Sequence, residues 1–345
     1  MSMALRVRFK SSARVSIVVA AVWLVACAIT DTSTFSPANV ADGGSSGSAV
    51  EGGGFSTTDA GNEAVTVIYA HTDNELYELD PTTKKVTLVG PFQAEGTLGS
   101  VTDLAVTKND EIWVNTTRAI YRVSSLPKAG DPVHLDHVAD FPGDINVYAL
   151  AFTPEGALEA GESLIAGDGD GAIHVIDQKT GSARKLGGFG DVRSGDPAPK
   201  DARVWTLSGD LVFYKVGNAV KGLATLRACG VDRNANPIKC DTTNDVLAEV
   251  DMVALRDAFT SKKYRNLRKQ ILGGGTRVGR LYGMGAWGDR VYAFARAQTD
   301  PQAVAAQLIE VSGSGTGTPL EAFPDISYGW SGAGVTTRAK IDIIR

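Results

Sequence analysis

Histidine and cysteine are scarce in this chain of 345 residues, numbering four and three. Metal centres built on imidazole and thiolate therefore have little material. From Val65 onward there is no Gly-x-Ser-x-Gly elbow, and no His-Glu-x-x-His pair or phosphate-binding glycine loop occurs. Common signatures of hydrolases, zinc peptidases and nucleotide enzymes are thus missing. Positive charge is not in excess either: 34 Lys and Arg stand against 39 Asp and Glu, a formal net charge of −5. Nucleic-acid affinity comes largely from cations neutralising phosphates, so no nucleic-acid partner is expected. What is abundant is glycine, 39 residues, much of it in short clusters between apolar runs. All-β proteins punctuate their turns in this way.

The one long apolar run is N-terminal. Residues 1–14 carry only positive charge (Arg6, Arg8, Lys10, Arg14), and Val15–Ala26 is almost unbroken in apolarity. This is the layout of a secretory signal. Twelve residues span only about 18 Å as a helix, short of a hydrocarbon core of ~30 Å, so a transmembrane anchor is the weaker reading. The run has no Arg-Arg pair and ends Leu24-Val25-Ala26-Cys27. That ending resembles the lipobox of bacterial lipoproteins. The resemblance implies cleavage between Ala26 and Cys27 and acyl chains on Cys27, hence a membrane partner through a lipid anchor. Each buried methylene adds ~0.8 kcal/mol, so several chains anchor firmly. Ala28 rather than Asp follows the cysteine, which by the sorting rule of some Gram-negative lipoproteins favours the outer membrane. Without residues 1–26 the chain has 30 basic and 39 acidic residues, a net −9.

Residues 27–63 form the lipidated cysteine and a segment rich in Ser, Thr, Gly and Ala. Such a composition does not bury enough surface to offset ordering entropy, and a flexible tether about 30–35 Å end to end is expected. From Val65 short apolar, β-branched runs alternate with turn residues. Val65–Tyr69, Glu75–Leu79 and Val86–Val89 give three strands. Groups of four follow from Leu104, from Tyr148 (the strand Tyr148–Phe152), from Val204 and from Leu281. The third group is expected to hold Val204–Leu207 and Leu211–Tyr214 as separate strands, then Val246–Val250 and Lys269–Leu272. Asp80–Lys84 and Asp177–Gly181 read as the same turn. Gly332–Thr336 is left over, and it completes the three-stranded first group. This resembles the closure of β-propellers by strands from both chain ends, which removes open sheet edges. The expectation is an all-β propeller of five blades, with six as the alternative, over residues 64–340. An insertion falls within 215–275. The body loosely resembles kelch, NHL and quinoprotein-like propellers through the hairpin phrase alone.

Within the insertion, Cys229 and Cys240 flank a turn-rich loop. An exported chain meets an oxidising compartment, so a disulfide is expected, worth roughly 3 kcal/mol. In Met252–Gln270, Ala254, Leu255, Ala258 and Phe259 share a helical face. The cluster Lys262, Lys263, Arg265, Arg268 and Lys269 could meet anionic headgroups or simply be solvated. His71 reads as a turn residue, His174 as a strand residue. His134 and His137 are three apart in a strand and so poorly placed to chelate. Asp168–Gly171 and Asp232–Asn236 lack the full ligand pattern of a calcium loop and read as turns. No cofactor is expected, calcium being the ion these stretches would take. Trp205, Trp287 and Trp330 lie at or beside opening strands. They are candidates for a channel binding site, with packing between blades as the alternative. No catalytic or metal-ligating residue stands out. A non-catalytic envelope binding protein, holding a protein or glycan, is the leading expectation. A metal-dependent hydrolase or lactonase is the rival, since propellers host both.

Overall fold

The computed structural model describes residues 67–230, 239–296, 306–326 and 329–339. The signal and lipobox residues Ala26 and Cys27, the tether, and Asp232–Asn236 lie outside them. Gly61–Arg345 forms one unit, and its fold is mostly β.

Strands follow one another as antiparallel meanders. The first holds β1 (Ile68–His71), β2 (Glu75–Leu79) and β3 (Val86–Ala94). The second holds β4 (Val101–Val106), β5 (Ile112–Thr116), β6 (Ala119–Val123) and β7 (Val133–Asp140). The third holds β8 (Val147–Thr153), β9 (Ser163–Asp168), β10 (Ala172–Ile176) and β11 (Ala183–Gly188). The fourth runs β12 (Val204–Val216), β13 (Ala219–Cys229) and β14 (Val246–Val250). It continues through helix α1 (Met252–Ser261) and the short β15 (Arg265–Asn266) to β16 (Arg268–Leu272). The last holds β17 (Leu281–Trp287), β18 (Arg290–Arg296), β19 (Ala306–Val311) and β20 (Gly317–Phe323), and β21 (Gly332–Val335) follows. β21 pairs antiparallel with β1, Ile68 opposite Val335 and Ala70 opposite Ala333.

Opening strands pack in sequence. β4 lies on β8, β8 on β12, β12 on β17, β17 on β21, and β21 on β4. Such strands are covered on both faces, and β5, β9 and β14 are buried along their whole length. Outer strands alternate, as in β7, or face solvent, as in β20. This gradient from continuous to alternating apolarity follows from how many faces each strand buries. Apolar clusters fill the gaps between successive meanders, for example Trp113, Phe152 and Leu164 between the second and third. Two outer edges are also joined in parallel, β3 to β7 and β11 to β15. Both joins blunt an exposed edge.

The two turns that read alike are alike. Asp80 Oδ1 accepts from the amides of Thr82 and Thr83, and Asp177 Oδ1 from those of Lys179 and Thr180. Each turn ends in a left-handed residue, Lys84 or Gly181. The fourth meander differs from the sequence expectation. Val204–Leu207 and Leu211–Tyr214 are one strand, and Ser208–Asp210 between them is a bulge in its pairing with β13. Gly209 permits this: a Cβ there would sit 2.2 Å from the Tyr282 Cα. β13 went unexpected, because Lys221-Gly222 interrupts its alternation. His71 ends β1 rather than lying in a turn.

The insertion between β14 and β16 carries α1. Asp251 caps it, accepting from the amides of Val253 and Ala254 at 3.0 Å each. Lys262 ends it in a left-handed conformation. Leu255 and Ala258 face the core, and Arg184 donates to the carbonyls of Ala258 and Phe259. Cys229, at the end of β13, and Cys240 form a disulfide. The basic cluster is not a uniform free surface. Arg268 is buried on Asp196 at 2.7 Å, Arg265 pairs with Asp257, and Lys269 with Glu249. Among the described residues no helix is long and apolar enough to cross a membrane.

Candidate functional site

Four opening strands break register at one end. The pairing skips Thr102 in β4, Tyr148 in β8, Ser208–Asp210 in β12 and Tyr282 in β17. A bulge adds a residue and re-aims its side chain. Thr102, Tyr148, Ser208 and Tyr282 all line a pocket of about 530 Å³. The first meander contributes Asp73 to its wall, and Ser331, just before β21, lies there too. Arg227 of β13 and Arg296 of β18 bring guanidinium groups, and Asp168, closing β9, a second carboxylate. Its volume is in the range of small-molecule sites.

Several of the polar groups are already engaged. Arg296 pairs with Asp73 at 2.9 Å, and the Ser331 hydroxyl donates to the same carboxylate. His174 Nε2 donates to Asp168 Oδ2 at 2.8 Å, and the amides of Asp170 and Ala172 donate to Oδ1. Burial opposes ionisation of Asp168, but these donors outweigh it and hold the carboxyl below its usual range. Thr102 donates to the Val147 carbonyl, and Ser208 to Asp245. By contrast, the side chains of Ser100, Thr117, Tyr148, Arg227 and Tyr282 make no hydrogen bond among the described residues. Tyr148 is 48% exposed, and Arg227 Nε is buried without a partner.

Beneath the pocket lies a fully buried polar layer. Asp103 Oδ2 accepts from the Leu150 amide at 2.6 Å, so β4 reaches across to β8. Asp210 accepts from the amide of Met284 in the same manner, joining β12 to β17. Burial pushes both carboxyls well above the usual range, and the Asp210 charge adds to the shift of Asp103. Two neighbouring buried carboxyls resist ionising together. His71 Nε2 stands 4.0 Å from Asp103 Oδ1, neither atom having a hydrogen-bond partner among the described residues, while His71 Nδ1 donates to the Thr72 carbonyl. Burial pushes His71 down to about 4, so it is neutral at pH 7. Gly332 packs against this pair: a Cβ there would meet Asp103 Oδ1 at 2.2 Å and His71 Nε2 at 2.3 Å. Farther along, Leu104, Leu150, Leu211, Met284 and Val335 leave a space of only about 10 Å³.

The tryptophans singled out in the sequence are not on the pocket wall. Trp205 is 2% exposed and donates to Asp196 Oδ2 at 3.0 Å. Trp330 is wholly buried, with Tyr77, Phe294 and Phe323 edge-on to its ring. Trp287 is half-buried against the same cluster. Large apolar rings gain most in the wedge between meanders, and the pocket's aromatics are Tyr148 and Tyr282 instead. A repeated signal does point to them: Val101-Thr-Asp, Val147-Tyr-Ala and Leu281-Tyr-Gly place the bulged residue after an apolar one. Asp168–Gly171 forms a hairpin turn, and His137 pairs with Asp140 at 3.0 Å on an outer strand. Among the described residues no three His, Cys, Asp or Glu side chains form a candidate metal site.

No family model matches the chain, and no curated protein matches it. Solved structures do. A protein of unknown function from Bacteroides caccae matches with a TM-score of 0.41 and 10% identity, over 79% of this chain and 99% of that one. The WD40 β-propeller domain of Doa1 matches at 0.35 and 14%, over 78% and 82%. The Dos1 propeller matches at 0.32 and 12%, over 75% and 55%. Two of these three proteins are β-propellers.

Proposed function

We propose that this chain is a lipid-anchored binding protein of the cell envelope, a five-bladed propeller whose mouth holds a small polar ligand. In this reading each meander is a blade, and β21 completes the first by pairing with β1. Cys27 carries the lipid, residues 28–63 tether the body, and the outer membrane is the favoured site in a Gram-negative cell. The lipobox sequence Leu24–Cys27 supports the anchor. The single observation that carries the binding role is the pocket: every meander supplies wall residues, and five of their side chains have no hydrogen-bond partner among the described residues. Preformed concave sites with a few convergent polar groups are where small ligands bind.

The test is calorimetric melting of the full chain in detergent, against a panel of monosaccharides and short peptides. Ligand at 100-fold its Kd stabilises by about 2.7 kcal/mol. At least one compound raises the melting temperature of the wild type, and Tyr148→Ala/Tyr282→Ala abolishes the shift. No shift with any compound, or one that survives the double substitution, refutes the binding role. The metal-dependent hydrolase remains the second reading. His71, Asp103 and Asp210 gather beneath the pocket, but among the described residues they form no candidate metal site, and their complete burial sets them apart from the pocket. If EDTA lowers the melting temperature and calcium restores it, weight moves to the hydrolase.

A further inference from the structure

Arg227 is the charged group in the mouth that the protein leaves unused. Arg296 has Asp73, and Asp168 has His174. Arg227 makes no hydrogen bond or ion pair within 4.0 Å among the described residues, yet its Nε is buried and it faces the pocket. A guanidinium has five donors in a planar fork, and leaving them unmet in a partly buried place is costly. The carboxylate whose charge it feels is Asp245, which accepts from Ser208 and the Leu281 amide. Burial pushes that carboxyl up to about 7. At neutral pH a large share of the molecules therefore lack the counter-charge.

The other unengaged groups set the shape of what binds. Tyr148 offers a ring face, and Tyr282 the face not covered by the Arg296 guanidinium, which lies 6.0 Å from its ring centre; both offer phenol hydroxyls, as Ser100 and Thr117 offer hydroxyls. Aromatic faces stack on the apolar faces of sugar rings, and neutral hydroxyls pair with sugar hydroxyls. The aliphatic residues of the wall, Val101, Ala149 and Leu207, are buried and offer little surface to cradle an amino-acid side chain.

We infer that the mouth is a site for an acidic sugar, a uronate ring whose carboxylate is held bidentately by Arg227 while its ring lies on Tyr148 or Tyr282. This rests on the binding reading above and names its ligand class. A guanidinium fork matches a carboxylate in plane and charge. The net charge of −9 after residue 26 does not oppose such binding, because distant charges are screened by salt and the wall carboxylates Asp73 and Asp168 are engaged by Arg296 and His174.

Titration calorimetry on the full chain in detergent at pH 7 tests this with three probes: D-galacturonate, D-galactose and acetyl-dialanine as the free acid. Galacturonate is expected to bind about tenfold or more tightly than galactose, the range of a charge-assisted pair. Arg227→Gln brings galacturonate to the galactose level, and Arg227→Lys keeps part of the preference. The wild-type comparison stands even if a variant folds poorly. Equal binding of the two sugars, or a preference that survives Arg227→Gln, overturns the acidic-sugar assignment while leaving the pocket a binding site. Tighter binding of acetyl-dialanine overturns it in favour of peptide carboxylates. Failure of all three probes to bind overturns the assignment directly. The binding role itself falls only if the broader panel fails as well.

Discussion

Replacing Asp245 by Asn should change how the stability of this protein depends on pH. The side chain is buried, accepting from the Ser208 hydroxyl and from the Leu281 amide at 2.7 Å, while its Oδ1 has no hydrogen-bond partner among the described residues. Burial raises its folded-state value from 3.8 to about 7. The folded protein therefore holds this proton more tightly than the unfolded chain. Its contribution to stability is fully present below about pH 4 and is lost as the pH rises through 7. Three units at ~1.4 kcal/mol each amount to about 4 kcal/mol. An Asn keeps the acceptor for Ser208 and Leu281 and carries no titrating proton. The stability of Asp245→Asn relative to wild type should thus grow by up to about 4 kcal/mol between pH 4 and pH 8. Taking the difference isolates this group from His71, whose lowered value works in the opposite sense between about 4 and 6.5. Urea unfolding at half-unit steps of pH gives the quantity directly. A difference that is flat with pH, or that shrinks as pH rises, refutes the reasoning.

Other consequences follow from packing and pairing. Gly332→Ala places a methyl group 2.2 Å from Asp103 Oδ1 and should cost about 1–3 kcal/mol; an unfolding midpoint matching wild type would count against the tight axis. Reducing the Cys229–Cys240 bond should lower stability by roughly 3 kcal/mol, read as a fall in melting temperature with dithiothreitol that a Cys229→Ser/Cys240→Ser variant does not show. Arg268→Ala removes one of three donors to Asp196 and should cost about 1–3 kcal/mol. A loss below 1 kcal/mol in urea unfolding would show that Trp205 and the Arg193 amide suffice for that carboxylate.

Much of the strand order was legible because it depends on local patterns. Apolar runs of period two, the Asp-led turns at Asp80 and Asp177, and the leftover Gly332–Thr336 can all be read without knowing what touches what. The face of α1 was equally readable, since Leu255 and Ala258 are spaced for one side of a helix. The mouth was not. Its side chains hang on bulges, and a bulge is defined by pairing with another strand. Thr102, Tyr148 and Tyr282 look like ordinary strand residues until the register is known. Ser208–Asp210 carries turn chemistry yet lies within a strand, because Gly209 answers to the backbone of Tyr282 and not to a reversal of the chain. Arg227 sits on β13, whose pattern Lys221-Gly222 obscures. The tryptophans drew attention by type, but ring size favours burial between meanders over exposure in a channel.

The most direct test concerns the pairing of β1 with β21, on which the proposed ring and its mouth depend. Ala70 and Ala333 are paired across β1 and β21 and are both buried. Opposed strand residues lie about 4.5–5.5 Å apart, within reach of a disulfide. The full-length variant Ala70→Cys/Ala333→Cys, oxidised in its folded state and digested without reduction, should yield a cross-linked peptide pair in the mass spectrum. Free thiols at both positions in the folded protein would contradict the pairing of the chain's two ends, and with it the shared mouth.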